Sequence, residues 1–281
     1  MRSLPIPDED ITEIYTTCIS KVRNPDLKQR LSQCGDIIEE ANTEYDTVAR
    51  SGELHLIESG VPEGIDITNE ELVKVYTSRM VPKKSPGRPY YDKIITSTPH
   101  SRCPLCGHRT VTTLDHHLPK AHYPLLSISP INLIPACKDC NTAKDDIEPN
   151  SKQEVTIHPY YDNIEKERWL KALVIDSKPV AILFFVEHPK EWDDILFERV
   201  KLHFSVLDLN TLYASHAAEE LVNIQFSLLL QYEVGGSNAV KDFLEDAAES
   251  RQMVHPNSWQ TALYQALAAS DWFCNEGFNE L

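Results

Sequence analysis

The sequence predicts a mainly helical α+β protein that carries a small zinc-binding module between two helical regions. Two observations predict this class. Apolar residues recur at helical spacing over long stretches at both ends of the chain. Two Cys-x-x-Cys pairs, with short β-rich segments beside them, enclose thirty residues in between. At 281 residues, the chain can bury a core as one large domain or two modest ones.

The N-terminal region is predicted to be helical. Residues 7–46 show apolar periodicity for two helices, one after Pro7 with Asp8 as N-cap and one that begins at Pro25. Glycine and proline predict a loop over 50–67, and Thr68 begins a helix that reaches about Met80. Residues 81–99 are rich in proline and lysine and are predicted to be extended.

The remaining elements follow from short β-rich runs and longer periodic ones. Strands are predicted at 109–114, 132–136, 151–157 and 180–187, and a helix begins at Cys137. Further helices are predicted at 163–172, 190–204, 206–235, 237–252 and 257–272. Together these elements suggest three parts: a helical region at 1–98, a metal-binding module at 99–162 and a mainly helical region at 163–281.

Cysteine usage predicts a structural zinc site. Cys103, Cys106, Cys137 and Cys140 form the two pairs, and four thiolates suit a closed tetrahedral Zn²⁺ that fixes a small motif with little core. The other cysteines are scattered, as expected in a reducing compartment. No apolar run is long enough to cross a membrane, and the N-terminus lacks signal-peptide features. We therefore expect a cytoplasmic protein with no membrane partner.

The residues between and after the cysteine pairs form a distinctive pattern. Asp115-His116-x-x-Pro119 stands at the end of a predicted strand, Asn132 opens the next one, and Asn141 follows Cys140 directly. This pattern resembles the zinc-stapled branch of the HNH (ββα-metal) endonuclease family. The resemblance covers residues 103–144 and implies a ββα-metal nuclease module that hydrolyses phosphodiester bonds. A zinc-bound binding scaffold with a silent site is the alternative.

The resemblance implies a role for each polar residue. His116 matches the general base, which suits a side chain that titrates near neutral pH. Asp115 and Asn141 match the ligands of a catalytic cation, and their oxygen donors favour Mg²⁺ or Mn²⁺. Asn132 matches the middle residue of the motif, which ties down the loop and orients the base.

Four further residues near the motif allow more than one interpretation. His117 would point away from His116 if the strand continued, because successive strand residues face opposite sides. Lys144 is either a phosphate contact or an ordinary exposed lysine. His158 and Asp162 either pack against the module or complete the cation site.

The net charge of the chain and its local distribution have opposite implications for nucleic-acid binding. The formal net charge is −16, which opposes DNA binding, since lysine and arginine supply most non-specific affinity. Residues 79–120 nevertheless form a locally basic window, which contains Asp92, Asp115 and the following basic residues: Arg79, Lys83, Lys84, Arg88, Lys93, Arg102, Arg109 and Lys120. DNA is the expected substrate, with this window as its approach.

A looser resemblance concerns the whole chain. Met1-Arg-Ser-Leu-Pro-Ile-Pro at the start and His158-Pro-Tyr-Tyr-Asp162 after the motif are similar to the HNH subunit of two-gene ATPase–nuclease antiphage systems of the Septu type, including retron-linked ones. The resemblance implies a partner ABC-type ATPase, which must be a separate chain because this sequence has no phosphate-loop motif. The alternative is a stand-alone restriction-type nuclease.

Overall fold

The computed structural model describes residues 1–280 and divides into two compact units. Residues 2–162 form the N-terminal unit, and residues 163–280, with Met1, form the C-terminal unit. The predicted boundary at 162/163 coincides with this division. The predicted boundary at 98/99 does not, because residues on both sides of it share one hydrophobic core.

Five helices precede the cysteine motif in the N-terminal unit: α1 (Ile11–Ile19), α2 (Pro25–Ser32), α3 (Gly35–Arg50), α4 (Asn69–Arg79) and α5 (Arg88–Ile95). The prediction of two helices within 7–46 was wrong, because the chain turns after α2 and Gly35 begins a new helix. The extended segment predicted at 81–99 was also wrong, since α5 lies within it. Pro89 occupies the first turn of α5, where proline costs no hydrogen bond, and Tyr91 and Ile94 are buried.

The motif itself forms two strands and a helix. Strands β1 (Thr113–His116) and β2 (Leu133–Ala136) pair antiparallel, with Thr113 opposite Ala136 and His116 opposite Leu133. Helix α6 (Lys138–Lys144) follows with Cys137 as its N-cap. The first strand begins later than predicted, because Arg102 bridges Thr110 and the residues between them turn around the first cysteine pair.

The strands are packed against the N-terminal helices. Leu114 of β1 and Leu133 of β2 belong to the same buried cluster as Ile14 of α1 and Leu72 of α4. A second cluster joins Tyr45 of α3 to the segment between the strands. Burial of apolar surface is the main stabilising term in folding, so the helices hold the motif in place.

The C-terminal unit contains an antiparallel hairpin and four helices: β3 (Leu170–Ile175), β4 (Ala181–Val186), α7 (Asp194–Val206), α8 (Leu209–Val254), α9 (Trp259–Ala269) and α10 (Asp271–Asn275). The strand predicted at 180–187 and the helix predicted at 190–204 are present. The strand predicted at 151–157 was wrong, since residues Lys152–Glu154 form a 3₁₀ turn. The helix predicted at 163–172 was wrong as well, because β3 begins there.

Helix α8 is two helical arms rather than one. Gly235 and Gly236 have non-helical dihedrals, with φ of 66° at Gly236, a conformation that glycine adopts without strain. Arg251 of the second arm lies 3.5 Å from Glu220 of the first. The arms, residues 209–234 and 237–254, therefore run antiparallel. Within residues 1–280, none of the helices has the length and apolar character needed to cross a membrane.

Candidate metal centre and active site

The two cysteine pairs come together as one buried cluster. The Sγ atoms of Cys103, Cys106, Cys137 and Cys140 all lie within 4.8 Å of one another, and each residue is at most 3% exposed. Within residues 1–280, these four cysteines are the one group of three or more His, Cys, Asp or Glu side chains whose ligand atoms lie close enough together to hold a metal ion. Four sulfur donors in a closed site fit a structural ion such as zinc.

The backbone around the cluster is arranged to support thiolates. The Arg109 N–H donates to Cys106 Sγ and the Cys140 N–H donates to Cys137 Sγ, both at 3.4 Å. The Arg109 side chain reaches Asp139 on the other cysteine loop at 2.9 Å. Such outer contacts fix the orientation of metal ligands, so both loops are preorganised around the four sulfurs.

A cavity of about 520 Å³ opens beside the cysteine cluster. Its lining contains Asp115 and His116 from the end of β1 and Asn141 from α6, with Lys120 and Lys138 close by. Asp145 and Asp146 also line it, so both signs of charge are present. The three side chains that the motif singles out are thus brought together in one concave site.

His116 is held in a defined tautomer. Its Nε2 lies 2.8 Å from the carbonyl oxygen of Ser127, and since a carbonyl only accepts, Nε2 carries the proton and Nδ1 has the lone pair. The ring of Tyr76 from α4 contacts the imidazole edge-on, with 4.5 Å between centroids. Burial lowers the pKa of His116 to about 3. The imidazole is therefore neutral near pH 7 with a lone pair at Nδ1, but it is a weaker base than the near-neutral histidine that the sequence led us to expect.

Asp115 is a buried carboxylate with a buried lysine beside it. Lys144 Nζ lies 3.2 Å from Asp115 Oδ2 and donates to the His116 carbonyl at 2.6 Å. Burial raises the pKa of Asp115, and the Lys144 ammonium opposes that shift. Lys144 was expected either to contact phosphate or to be an exposed lysine, but its side chain is only 8% exposed. Lys144 instead binds the Asp115 carboxylate and the backbone carbonyl of His116 at the end of β1.

The two asparagines have different positions. Asn141 Nδ2 donates to Leu114 O at 3.1 Å, which leaves Oδ1 as the atom that can bind a ligand in the cavity. Asn132 is fully buried and bonds Leu118 through both its oxygen and its nitrogen, at 2.7 and 3.0 Å. Asn132 therefore fixes the loop after β1.

His158 and Asp162 pack beside the module instead of lining the cavity. His158 Nε2 lies 2.9 Å from Tyr45 Oη, and the His158 N–H donates to Asp162 at 2.7 Å. The ring of His117 lies 4.2 Å from that of His158, so His117 faces this aromatic cluster rather than His116. The structure gives these three residues a packing role and no place in the cavity wall.

Sequence reasoning missed the contribution of the helices. Tyr76 and Thr77 of α4 and Tyr91 of α5 line the cavity, and no local signal marks them. The basic window is also less free than expected. Lys93 pairs with Glu9 at 2.9 Å, and Arg109 pairs with Asp139.

The fold and the site define a mainly helical α+β protein with a buried four-cysteine cluster suited to a metal such as zinc. The chain is similar to Protein ea31 of Escherichia phage lambda, with 28% identity over an alignment of 295 positions that covers 97% of this chain and 99% of the phage protein. No model of a known protein family matches the chain. No solved structure matches it either.

Proposed function

We propose that the protein is a metal-dependent endonuclease of the HNH type that hydrolyses phosphodiester bonds in DNA. One observation carries the proposal: Asp115, His116 and Asn141 line a single cavity beside the four-cysteine cluster. A zinc ribbon that only binds a partner has no need for an acid, a neutral imidazole and an amide oxygen in one concave site.

The chemistry divides among these residues. The Asp115 carboxylate and Asn141 Oδ1 would hold Mg²⁺ or Mn²⁺, which prefer oxygen ligands. When bound, such an ion stabilises negative charge on the phosphate and on the departing 3′ oxygen. His116 Nδ1 takes the proton from the attacking water, and the Ser127 carbonyl holds the opposite nitrogen in place. The resemblance to HNH enzymes implies a 5′ phosphate and a 3′ hydroxyl as products.

Substrate binding is proposed to use the lysines at the cavity. Lys120 and Lys138 line it and can contact phosphate oxygens. The net charge of −16 and the internal pairing of Lys93 and Arg109 reduce the cationic surface available for a long DNA footprint. This scarcity supports the further proposal of an accessory subunit, an ABC-type ATPase in a cytoplasmic antiphage complex.

Cleavage of supercoiled plasmid tests the proposal. Wild-type protein with Mg²⁺ or Mn²⁺ should nick the plasmid, and His116→Ala should lose at least about 100-fold in rate, the usual contribution of a general base. His122→Ala, which removes a partly exposed histidine paired with Glu148, is the matched control and should cut at the wild-type rate. Equal rates for wild type and His116→Ala would contradict the proposal. Folded, zinc-loaded protein that cuts neither DNA nor RNA would favour a binding scaffold.

A further inference from the structure

Exposed apolar side chains are concentrated in the unit that does not hold the cavity. In the N-terminal unit, the large apolar residues that remain exposed are Leu56, Ile65 and Ile147, which are scattered. The other such residues of the described chain lie in the C-terminal unit, and several of them follow one another on the first arm of α8. Contiguous apolar surface on a folded protein commonly marks a site of association.

The exposed residues on α8 form one stripe. Val222, Phe226, Leu229, Leu230 and Val234 are 63%, 71%, 40%, 45% and 84% exposed. Val222, Phe226, Leu230 and Val234 follow one another at four-residue spacing, and Leu229 lies three residues after Phe226, so all five lie on the same side of the helix. The opposite side of the arm is occupied, since Leu221 and Leu228 are buried. The arm therefore packs on one side and presents an apolar face on the other.

Acidic residues close both ends of this stripe. Glu219 and Glu233 lie seven residues before and after Phe226, which puts them on the same face. Both are exposed, and neither makes an ion pair within residues 1–280. Residues 202–240 contain no lysine or arginine, and Arg251 of the second arm is already paired with Glu220.

We propose that the face from Glu219 to Val234 binds an apolar helix of a partner protein that carries lysine or arginine at both ends of its apolar stripe. The apolar residues would supply the buried area, and the two glutamates would select a basic partner. Helix-in-groove and helix-on-helix recognition commonly use such spaced anchors. Pairing with a second copy of the chain is disfavoured, because either direction of pairing brings Glu219 or Glu233 against another glutamate.

Binding of two designed peptides to the full-length protein tests this proposal. Both peptides are helical with the same leucine stripe, and they carry either Lys or Glu one heptad before and after the central leucine. The Lys-flanked peptide should bind at least about tenfold more tightly, measured by fluorescence anisotropy. The double variant Glu219→Lys/Glu233→Lys should reverse that preference. Phe226→Ser should lower the affinity for the Lys-flanked peptide by about tenfold or more.

Met253→Ser is the matched control, since Met253 is 81% exposed but lies on the second arm of α8. It should leave peptide affinity unchanged. Equal affinity for the two peptides, or no binding of either, would overturn the proposal. So would a wild-type dimer in sedimentation equilibrium that Phe226→Ser dissociates, because the face would then be a self-interface. None of these readouts depends on cleavage activity.

Discussion

Lys144 joins the buried carboxylate of the cavity to the end of β1. Its ammonium group lies beside the Asp115 carboxylate and bonds the His116 carbonyl, and the two side chains are 8% and 7% exposed. A buried charge without a partner is costly. Lys144 therefore keeps a buried carboxylate in the site while fixing the backbone that carries His116.

Replacement of Lys144 by methionine should destabilise the protein by about 3 kcal/mol, because it leaves the Asp115 carboxylate buried and unpaired. Chemical denaturation of the zinc-loaded protein measures the change. The double variant Asp115→Asn/Lys144→Met removes both charges and should recover much of the lost stability. A double variant no more stable than Lys144→Met would show that the ion pair is not the source of the effect.

The sequence could predict those site residues that are positioned by elements close to them in the chain. The two cysteines of each pair are close in sequence, Asp115 and His116 end β1, and Asn141 lies on the short helix that follows β2, so short-range geometry brings them to the cavity. The burial of Lys144 and the packing of His158 on Tyr45 depend on distant helices. Burial by a distant element leaves no signal in the neighbouring residues.

Helix α4 is fastened at its N-terminus by a capping box and an ion pair. Thr68 and Glu71 exchange hydrogen bonds across the first turn. Arg30 of α2 reaches the same carboxylate with two bonds, at 2.7 and 2.9 Å. Since α4 carries Tyr76 to the cavity, this contact links helix packing to the position of the His116 ring.

This contact should make stability depend on pH in acid. The bonds from Arg30 lower the pKa of Glu71 to about 2, against an ordinary value of 4.5. A carboxylate with a lowered pKa stabilises the folded state above its unfolded pKa and loses that effect as pH falls through its folded pKa. The stability difference between wild type and Glu71→Gln should therefore shrink as pH falls from about 5 to about 2.

Denaturant titrations across this pH range, read by circular dichroism, measure the difference. Glu70→Gln is the control, since that carboxylate is 85% exposed and its pair with Lys74 is long at 3.5 Å. A surface pair of this kind contributes little, so the control should change stability by less at every pH. A Glu71→Gln difference that stays constant with pH would contradict the prediction.

Elements were predictable where apolar periodicity agreed with tertiary packing. The two arms of α8 and the glycines between them follow from the sequence pattern. The helix predicted at 163–172 was wrong because Trp169 and Leu170 are buried by residues distant in sequence. One of these is Asn257, whose side-chain oxygen accepts hydrogen bonds from both backbone amides. Tertiary hydrogen bonds of this kind override local helix preference.

At the scale of the whole molecule, the four-cysteine cluster should determine whether the N-terminal unit stays folded. Cys137→Ser should abolish binding of one zinc ion per chain and lower the thermal midpoint by about 10 °C, which corresponds to roughly 3 kcal/mol for a unit of this size. Zinc content by mass spectrometry and thermal unfolding measure both effects. Cys274→Ser, which changes a buried cysteine of the C-terminal unit, should keep its zinc. Retention of zinc by Cys137→Ser would contradict the assignment.

The division of the chain was only partly predictable. The sequence marks the motif by its cysteines, which suggested a separate module over 99–162, yet the core that encloses it includes Ile14 and Leu72 from the helical region before it. Which residues meet in that core depends on three-dimensional packing between segments that are distant in sequence. A composition shift along the chain therefore does not indicate where one core ends.

That shared core bears on attempts to transplant the four-cysteine motif into another protein. A fragment of residues 99–162 would carry the cysteines, Asp115, His116 and Asn141, but it would leave Leu114 and Leu133 open to water. It would also lose the Tyr76 ring that covers His116. Such a fragment should aggregate or bind zinc without forming the cavity. The smallest portable piece that keeps the cavity would therefore be the whole of residues 2–162.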